Sequence, residues 1–544
     1  MNEYLQKALA DALSRYELDR SSWPDIQIEK PRDPSHGDAA TNLALMLAKP
    51  LQSNPRKIAE QLVEYLELDE NLVSSVEIAG PGFINFRYSK DYLMKNLHHI
   101  LQKGETFGSS DKNQGKRVLV EFVSANPTGP LTVGHGRNAV LGDTIARLLE
   151  WTGAEVDREY YFNNAGRQMR VLGQSVQARY LQLTGRDVPF PDGGYEGEYI
   201  RDIAKSLAVE FGDKLQDKED ISVFKERAEK EIFNDISATL NRMNIRMDSF
   251  FNEHDLYENS SIKEVIQALR KDDLVYDEDG ATWFRTTKYG KDKDTVLIKS
   301  SGEPTYRLPD IAYHKNKLER GYDLCIDVFG ADHIDTYPDV LNGVRALGYD
   351  AEKIDVLVYQ FVTIVKDGKP YKMSTRKANF VTLDELMDEV GSDVTRFFFL
   401  MRSPSTHLEF DIAQAKEAGE KNPVFYLQYA HARIHSILRK VEDVAEFTGS
   451  PPLHLLEDES ETDLIKNLLE FPEVIISAAN SREPHRLINY LDSLAASFTT
   501  FYHDCRILGE DPKLMYARTA LATATSRVLA NGLSILGIST PESM

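Results

Sequence analysis

The sequence predicts an α/β protein of several domains, built around a doubly wound parallel sheet. Three observations lead to this prediction. A strand–loop–helix–strand unit spans residues 117–162, strand-like runs return after residue 281, and strand patterns cease after about residue 403. Strands joined through a helix pair in parallel, and such sheets bind ligands beyond the carboxyl ends of their strands. At 544 residues, the chain is also longer than one hydrophobic core usually supports.

Composition narrows the class of protein. The hydrophobic content of 42% and the charged content of 28% are typical of globular proteins, and no apolar run is long enough to cross a bilayer. The first residues lack a secretory pattern, so we expect a cytoplasmic location. With only Cys325 and Cys505, a disulfide framework and a thiolate zinc site are excluded. The net charge of −22 argues against non-specific nucleic-acid binding but allows a local basic face.

Residues 1–105 form the first predicted unit, a small α/β domain. Helical patterns cover residues 4–16, 37–48 and 55–66, and two strands within residues 76–87 flank a Gly-Pro-Gly turn. Strand alternation places Phe83, Asn85 and Arg87 on one face. Two interpretations stay open here: Phe83 and Phe86 pack in a core, or Phe83, Asn85 and Arg87 contact a nucleic acid.

Residues 106–402 form the second unit, which contains the sheet. Its first elements are a strand at 117–122, a loop at 124–136, a helix at 137–151 and a strand at 155–162. A charged helical region at about 195–245 reads as an insertion. Strand-like runs at 282–285, 295–299, 325–329 and 353–361 are predicted to complete the sheet, and residues 382–385 form a capping box.

Residues 403–544 form the third unit, predicted to be an all-α bundle. Helical patterns cover residues 421–440, 461–479, 483–505 and 516–535. The first of these mixes aromatic, Gln, His and Arg side chains. Helical periodicity forces about half of such a set inward. We therefore expect some of these side chains to pack in the bundle core and the others to be exposed for binding.

The loop before the first sheet helix carries the clearest chemical signal. Gly134 allows close approach of a ligand, the helix N-terminus offers unpaired N–H groups, and His135 can donate to a phosphate oxygen. An ordinary strand-to-helix connection is the competing interpretation. A second cationic segment, Lys372 to Arg376, lies far downstream between a strand and a helix. Two such loops at one sheet edge could clamp a triphosphate between them.

These motifs resemble those of class I aminoacyl-tRNA synthetases and, more closely, those of bacterial arginyl-tRNA synthetases. Thr132, Gly134 and His135 stand at the family's HIGH signature, and Lys372 to Thr375 stand at its KMSK signature. Further matching stretches are residues 37–42, 80–85, 121–128, 162–166, 306–314, 330–333 and 422–433. The resemblance therefore covers all three units.

The resemblance implies a Rossmann-like catalytic domain at 106–402, a tRNA-contacting domain at 1–105 and an anticodon-binding domain at 403–544. It implies that ATP activates L-arginine as arginyl-adenylate, with Mg²⁺ present, and that the arginyl group passes to the 3′-terminal adenosine of tRNA(Arg). A monomer without protein metal ligands is expected. Such chemistry depends on positioning and charge stabilisation more than on a covalent nucleophile.

The resemblance also implies roles for individual residues. Catalytic roles fall to Thr132, His135, Lys372 and Arg376. ATP contacts fall to Pro127, Thr128, Gly134, His135, Gly136, Asn138, Lys372, Met373 and Ser374. Arginine contacts fall to Glu121, Ser124, Asn126, Glu253, Tyr306, Asp310 and His333. Contacts with tRNA fall to Phe83, Asn85, Arg87, Tyr426, Gln428, Tyr429 and Arg433.

Two positions depart from the signatures. Thr132 replaces the first His of HIGH, and Thr375 replaces the second Lys of KMSK, which leaves Arg376 and Lys377 as replacement cations. The Lys that precedes HIGH in some family members is Gly129 here. Other hypotheses are an inactive tRNA-binding paralogue and a small nucleotidyltransferase. A surface position is the competing interpretation for Glu253.

Overall fold

The N-terminal unit of the computed structural model is a three-stranded antiparallel sheet covered by helices. The structure describes residues 1–16, 20–31, 33–164, 166–371, 381–417, 419 and 421–544. The first elements are α1 (Asn2–Leu13), β1 (Ala39–Thr41), α2 (Leu43–Leu47), α3 (Pro55–Tyr65), β2 (Val73–Ala79) and β3 (Phe83–Tyr88), with strand order β1-β3-β2. Their apolar side chains form a core of their own. The helix predicted over 37–48 is wrong in its first half, because Ala39 to Thr41 pair with β3.

A five-stranded parallel sheet forms the centre of the molecule, and the predicted doubly wound fold is confirmed. Its order is β11-β10-β4-β5-β6, and every neighbouring pair is parallel. The elements up to the third strand are α4 (Lys90–Lys103), β4 (Arg117–Glu121), α5 (Val133–Trp151), β5 (Glu155–Phe162), α6 (Gly166–Leu183), α7 (Glu198–Phe211), α8 (Ser222–Arg242) and β6 (Ser249–Asn252).

The sheet then continues on the other side of β4. The next elements are α9 (Glu253–Glu258), α10 (Ser261–Lys271), β7 (Val275–Glu278), β8 (Ala281–Phe284), β9 (Thr295–Ile298), α11 (Arg307–Glu319), β10 (Leu324–Gly330), α12 (Tyr337–Ala346) and β11 (Ile354–Tyr359). From β4 the chain runs outward through β5 and β6, and it then returns to β10 and β11. The carboxyl ends of β4 and β10 therefore flank the switch point, where doubly wound sheets bind ligands.

Two predicted strands of the sheet lie elsewhere. The runs at 282–285 and 295–299 belong to a separate antiparallel sheet, in the order β7-β8-β9. The fifth strand of the parallel sheet is instead β6, which pairs with β5. Asp279 and Gly280 both have positive φ, at 50° and 76°, between β7 and β8. An Asp-Gly pair favours a tight hairpin, so this turn was the signal for antiparallel pairing.

The third unit is the predicted all-α bundle, preceded by three short strands that the sequence did not predict. The elements after the sheet are β12 (Val362–Lys366), β13 (Lys369–Pro370), α13 (Leu383–Val390), α14 (Ser392–Leu400), β14 (Leu408–Asp411) and α15 (Ile412–Ala415). The bundle follows as α16 (Pro423–Glu442), α17 (Glu459–Ser481), α18 (His485–Asp504) and α19 (Pro512–Ile535). Strand patterns do not cease at residue 403, because β14 pairs in parallel with β12.

The bundle and the central domain share one hydrophobic core. Phe471 of α17 stacks on Phe107 at a centroid distance of 6.2 Å and meets the edge of Trp151 at 6.5 Å. A Cβ atom on Gly108 would lie 2.5 Å from the Phe471 ring, so glycine is needed at this close approach. No helix among the residues described above is long and apolar enough to span a membrane.

Candidate active site

The predicted phosphate loop connects β4 to α5, and it is shorter than the sequence suggests. The backbone turns sharply after β4, where Val123 and Ser124 adopt positive φ of 66° and 43°. The helix begins at Val133, four residues before the predicted start at Arg137, because Thr132 caps it. His135 therefore lies in the first turn of α5, where unpaired N–H groups and the positive end of the helix dipole favour an anion.

Thr132 and His135 form a reciprocal capping box at this helix start. The Thr132 hydroxyl accepts the His135 N–H at 3.4 Å, and His135 Nδ1 accepts the Thr132 N–H at 3.1 Å. With Nδ1 an acceptor, the neutral imidazole carries its proton on Nε2. Burial lowers the pKa of His135, with Asp332 opposing that shift. The ring is therefore neutral at pH 7 and presents an Nε2–H donor, and Thr132 sets its orientation.

The two glycines of the loop differ in their surroundings. Among the described residues, a Cβ atom on Gly134 would meet only the Thr132 hydroxyl, at 3.6 Å, so they leave space beside it for a ligand. A Cβ atom on Gly136 would lie 2.6 Å from a Leu383 methyl and 2.9 Å from the Phe399 ring. Gly136 thus allows α13 and α14 to pack on α5, and its predicted contact with ATP stays a prediction.

Asn138 joins the ends of two strands at the switch point. It is buried, its Oδ1 accepts the Val123 N–H at 2.6 Å, and its Nδ2 donates to the Val328 carbonyl at 2.8 Å. These bonds hold β4 and β10 in place beneath the loop. Pro127 is buried, and the Thr128 carbonyl accepts the Tyr199 hydroxyl at 2.6 Å. The insertion thereby contacts the phosphate loop through α7.

A buried charge network lies under the opposite side of the cleft. Lys317 is fully buried and donates to Glu121 Oε2 at 2.5 Å and to Asp327 Oδ1 at 2.6 Å. His314 Nε2 bonds Asp327 Oδ2 at 2.8 Å, and the Ser124 hydroxyl donates to Glu121 Oε1 at 2.8 Å. Sequence reasoning missed Lys317 and Asp327. A charged residue inside the apolar run of β10 was the available signal.

Two further carboxylates face the cleft above this network. Glu253 is buried, Tyr161 donates to it at 2.9 Å, and burial raises the pKa of its carboxyl. A surface position for Glu253 is therefore wrong. Burial, with Glu121 and Glu253 adding to it and His314 opposing, raises the pKa of Asp310 to about 7. Within the described part of the chain, no hydrogen-bond donor contacts the Asp310 carboxylate. A planar cation such as a guanidinium suits such a pair.

Asp310 and His333 line one small pocket, together with Phe329 at the end of β10 and Tyr337 of α12. His333 is exposed and stacks on Phe329 at 5.2 Å. Tyr306, at the start of α11, is 72% exposed at the rim. Asn126, on the facing loop, donates from Nδ2 to Gln168 at 2.8 Å, which leaves its Oδ1 available as an acceptor.

Three family descriptions match successive parts of the chain. Residues 3–88 match the arginyl tRNA synthetase N terminal domain, residues 96–398 match the catalytic domain of tRNA synthetases class I (R), and residues 427–544 match the DALR anticodon binding domain. The chain belongs to the arginyl-tRNA synthetase family.

Individual relatives cover the whole chain. The arginine–tRNA ligase of Salinibacter ruber is 54% identical over 539 residues, which is 96% of each chain. That of Desulfotalea psychrophila is 51% identical over 546 residues, 99% of each chain. The solved arginyl-tRNA synthetase of Thermus thermophilus is 25% identical, covers 100% of both chains and superimposes with a TM-score of 0.78. The expected arginyl-tRNA synthetase fold is thus confirmed over its full length.

The second synthetase signature lies outside the described residues, and with it Lys372, Met373, Ser374, Thr375, Arg376 and Lys377. The residues that follow it are described. Thr382 pairs with Thr132 in an antiparallel bridge, and the Leu383 N–H donates to the Leu131 carbonyl at 2.8 Å. The predicted capping box of α13, from Thr382 to Glu385, is confirmed. The chain therefore rejoins the first signature loop directly after the second signature.

The predicted tRNA-contacting residues of the synthetase occupy different surroundings. In β3, Phe83 is 40% exposed, but Asn85 is only 5% exposed, so Asn85 does not share the exposed face expected for it. Ile84 and Phe86, which point to the opposite face of β3, are also buried, so both faces of the strand are covered at this point. Arg87 is half-buried and donates to the Ser35 carbonyl.

On α16, the exposed residues form a stacked row. Tyr429 stacks on Phe425 at 6.2 Å, and the Arg433 guanidinium lies 4.8 Å from the Tyr502 ring. Tyr426 is half-buried, and Gln428 donates to Asp393 at 2.9 Å. The expected division of this helix is observed, since Leu427 and Ala430 lie in the bundle core.

Proposed function

We propose that this chain is an arginine–tRNA ligase that uses ATP to attach L-arginine to the terminal adenosine of tRNA(Arg). The observation that carries the proposal is a pairing of two opposite sites in one cleft. The carboxyls of Asp310 and Glu253 lie close enough to interact and have raised pKa values, and the start of α5 offers N–H donors for an anion at the carboxyl edge of the same sheet. Arginine and ATP have the charges that fit these two sites.

The first step activates the amino acid. The carboxylate of arginine attacks the α-phosphate of ATP, the bond to the β-phosphate breaks, and pyrophosphate leaves. His135 Nε2–H and the N–H groups of the first turn of α5 donate to phosphate oxygens, with Gly134 allowing close approach. Lys372, Met373, Ser374 and Arg376 are proposed to contact the phosphates from the other side.

The arginine side chain is held by charge. Asp310 and Glu253 accept the guanidinium N–H groups, with Tyr306 beside them and His333 at the pocket wall. Ser124 and Asn126 hold the α-amino and carboxylate groups. Glu121 is bound by Lys317, so its contribution passes through Ser124, to which it is hydrogen-bonded.

The second step transfers the arginyl group. A ribose hydroxyl of the terminal adenosine attacks the arginyl carbonyl carbon, and AMP leaves with the bonding electrons. We propose that Phe83 and Arg87 contact tRNA from the N-terminal domain, with Asn85 supporting the strand. Tyr426, Gln428, Tyr429 and Arg433 contact the anticodon loop, where exposed rings suit unstacked bases.

Further expectations complete the proposal. We propose that Mg²⁺ would bind together with the phosphates of ATP, since Mg²⁺ is commonly held by substrate phosphates. Its chemistry is to neutralise phosphate charge. We propose domain limits near residues 105 and 402, a monomer and a cytoplasmic location.

Arginine-dependent exchange between ATP and labelled pyrophosphate tests the ligase, measured with and without tRNA. Exchange with arginine, and none with citrulline or lysine, is expected, because a buried carboxylate pair rejects a side chain that lacks the guanidinium. Folded protein that shows no exchange under either condition would overturn the proposal.

A further inference from the structure

Arg137 is the first large side chain after His135, and it is completely buried. Its Nη1 donates to the Gln360 carbonyl at 2.6 Å and to the Thr406 carbonyl at 3.0 Å, and its Nη2 donates to the Ser403 carbonyl at 3.1 Å. Gln360 follows β11, and the other two acceptors precede β14. The side chain thus joins the start of α5 to both ends of the segment between these strands.

No carboxylate of the described residues lies within ion-pair distance of this guanidinium. Its Nε–H is buried without a hydrogen-bond partner among them. Burial lowers the pKa of Arg137 to about 10, so the group stays charged at neutral pH. Carbonyl dipoles solvate the charge without neutralising it, and a buried charge without a counterion destabilises a fold.

A second arginine provides the contrast. Arg396 is also buried, but it donates to Asp143 of the same helix at 2.6 Å. Asp143 further pairs with Arg147 at 2.8 Å. The middle of α5 therefore carries a cation with its counterion, whereas the first turns carry Arg137 without one.

The position of Arg137 makes its charge more costly still. Cations near a helix N-terminus oppose the helix dipole, and an anion bound there relieves both unfavourable terms. Gly134 leaves open space at this terminus, and His135 contributes only a neutral donor. A ligand with several negative charges, such as a triphosphate, would gain most from the unneutralised cation below it.

We propose that Arg137 is a positioning residue whose charge, held beneath the first turns of α5, draws the phosphates of ATP towards Gly134 and His135 without contacting them. The inference rests on the proposed function, since it assigns the ligand of that site as a polyphosphate. The alternative is a purely structural role, in which Arg137 only fixes the backbone. That role would need the shape and the hydrogen-bond donors of Arg137, but not its charge.

Nucleotides of increasing charge separate these two roles. We would titrate adenosine, AMP and ATP into the full-length wild type and into Arg137→Met, Arg137→Gln and Arg137→Lys by calorimetry. The neutral variants are expected to weaken ATP binding about tenfold and AMP binding less, with adenosine changing less than about twofold. Arg137→Lys should bind ATP within about threefold of the wild type.

Arg396→Met is the matched control, because it removes a buried cation of equal size that has a carboxylate partner, Asp143. Arg396→Met should lower the melting temperature. Any loss of nucleotide affinity in this variant should be the same for adenosine, AMP and ATP. Should Arg137→Met not fold, Arg137→Gln makes the same comparison with Arg137→Lys.

Equal weakening of all three nucleotides in the neutral variants, or equal ATP affinity in Arg137→Lys and Arg137→Met, would overturn the inference. Failure of the ligase proposal is a separate result. It would show as absent arginine-dependent exchange by the wild type, whatever the nucleotide titrations give.

Discussion

The arginine side and the phosphate side of the site carry opposite charges. On the arginine side, burial raises the carboxyl pKa values of Asp310 and Glu253, and the Glu253 carboxylate further disfavours ionisation of Asp310. On the phosphate side, the start of α5 presents N–H donors above the unpaired cation Arg137. Each side is incomplete in charge in the free protein, and its substrate supplies the opposite sign. The two sides should therefore respond separately to substitution and to pH.

The largest expected effect is on the arginine side. Asp310→Asn removes the charge of the carboxylate that lacks any donor, and loss of one partner from a buried ion pair costs about 3–5 kcal/mol. The KM for arginine should rise about 10²- to 10³-fold, with the KM for ATP almost unchanged. Pyrophosphate exchange at varied arginine and ATP measures both. Equal effects on the two substrates would show that Asp310 is not a guanidinium ligand, and the exposed Asp335→Asn is the control.

Glu253→Gln should act in the same direction but less strongly. Glu253 already accepts a hydrogen bond from Tyr161 at 2.9 Å, and a glutamine oxygen can accept that bond too. We expect the KM for arginine to rise about 10- to 100-fold in the same exchange assay. Tyr161→Phe removes only the supporting bond and should give a smaller rise. If Glu253→Gln raises the KM for arginine more than Asp310→Asn does, Glu253 and not Asp310 is the main guanidinium ligand.

The arginine side should also depend on pH. Asp310, whose pKa is about 7, must be ionised to bind a guanidinium. The KM for arginine should thus rise by up to about tenfold per unit as pH falls below 7, and Asp310→Asn should abolish this dependence. The raised pKa stabilises the free fold at low pH, and that contribution is lost as pH rises through about 7. Arginine should therefore raise the melting temperature more at pH 8 than at pH 6. Identical shifts would contradict this assignment.

The smallest expected effect lies on the phosphate side. Thr132→Val keeps the shape of the cap but loses its hydroxyl, and loss of an N-cap costs about 1 kcal/mol. Because His135 loses both contacts with the Thr132 hydroxyl and keeps only the Thr132 N–H, the KM for ATP should rise a few-fold, with that for arginine unchanged. Thr132→Ser keeps the hydroxyl and should match the wild type. If the KM for ATP is unaltered in Thr132→Val, the Thr132 cap does not contribute to ATP binding through His135.

The sequence predicted what local patterns encode. The strand at 155–162 is confirmed with its predicted bounds, and the bundle helices are found within a few residues of theirs. Long-range pairing was not predictable in the same way. Nothing local distinguishes the four residues of β6 from a loop, and β14 forms because β12 offers it a partner.

The candidate site shows the same limit. His135 was indicated by its own position beside Gly134 at a helix start, whereas Asp310 and Glu253 were indicated only by the resemblance to a family. The charge network of Lys317 was missed because residues 121, 317 and 327 meet only after two strands and a helix have assembled. Asn85 was misplaced because period-2 alternation assumes one exposed sheet face, whereas β3 is covered on both.

The way the N-terminal domain is attached has a consequence for unfolding. It has its own core and is joined to the rest by exposed ion pairs, including Glu3 with Lys112 at 2.6 Å and Lys30 with Glu470 at 2.5 Å. The helical bundle instead shares its core with the sheet. Surface ion pairs contribute little and are screened by salt, whereas a shared core couples its parts. Calorimetry should thus resolve two cooperative units, and added salt should move the two transitions further apart.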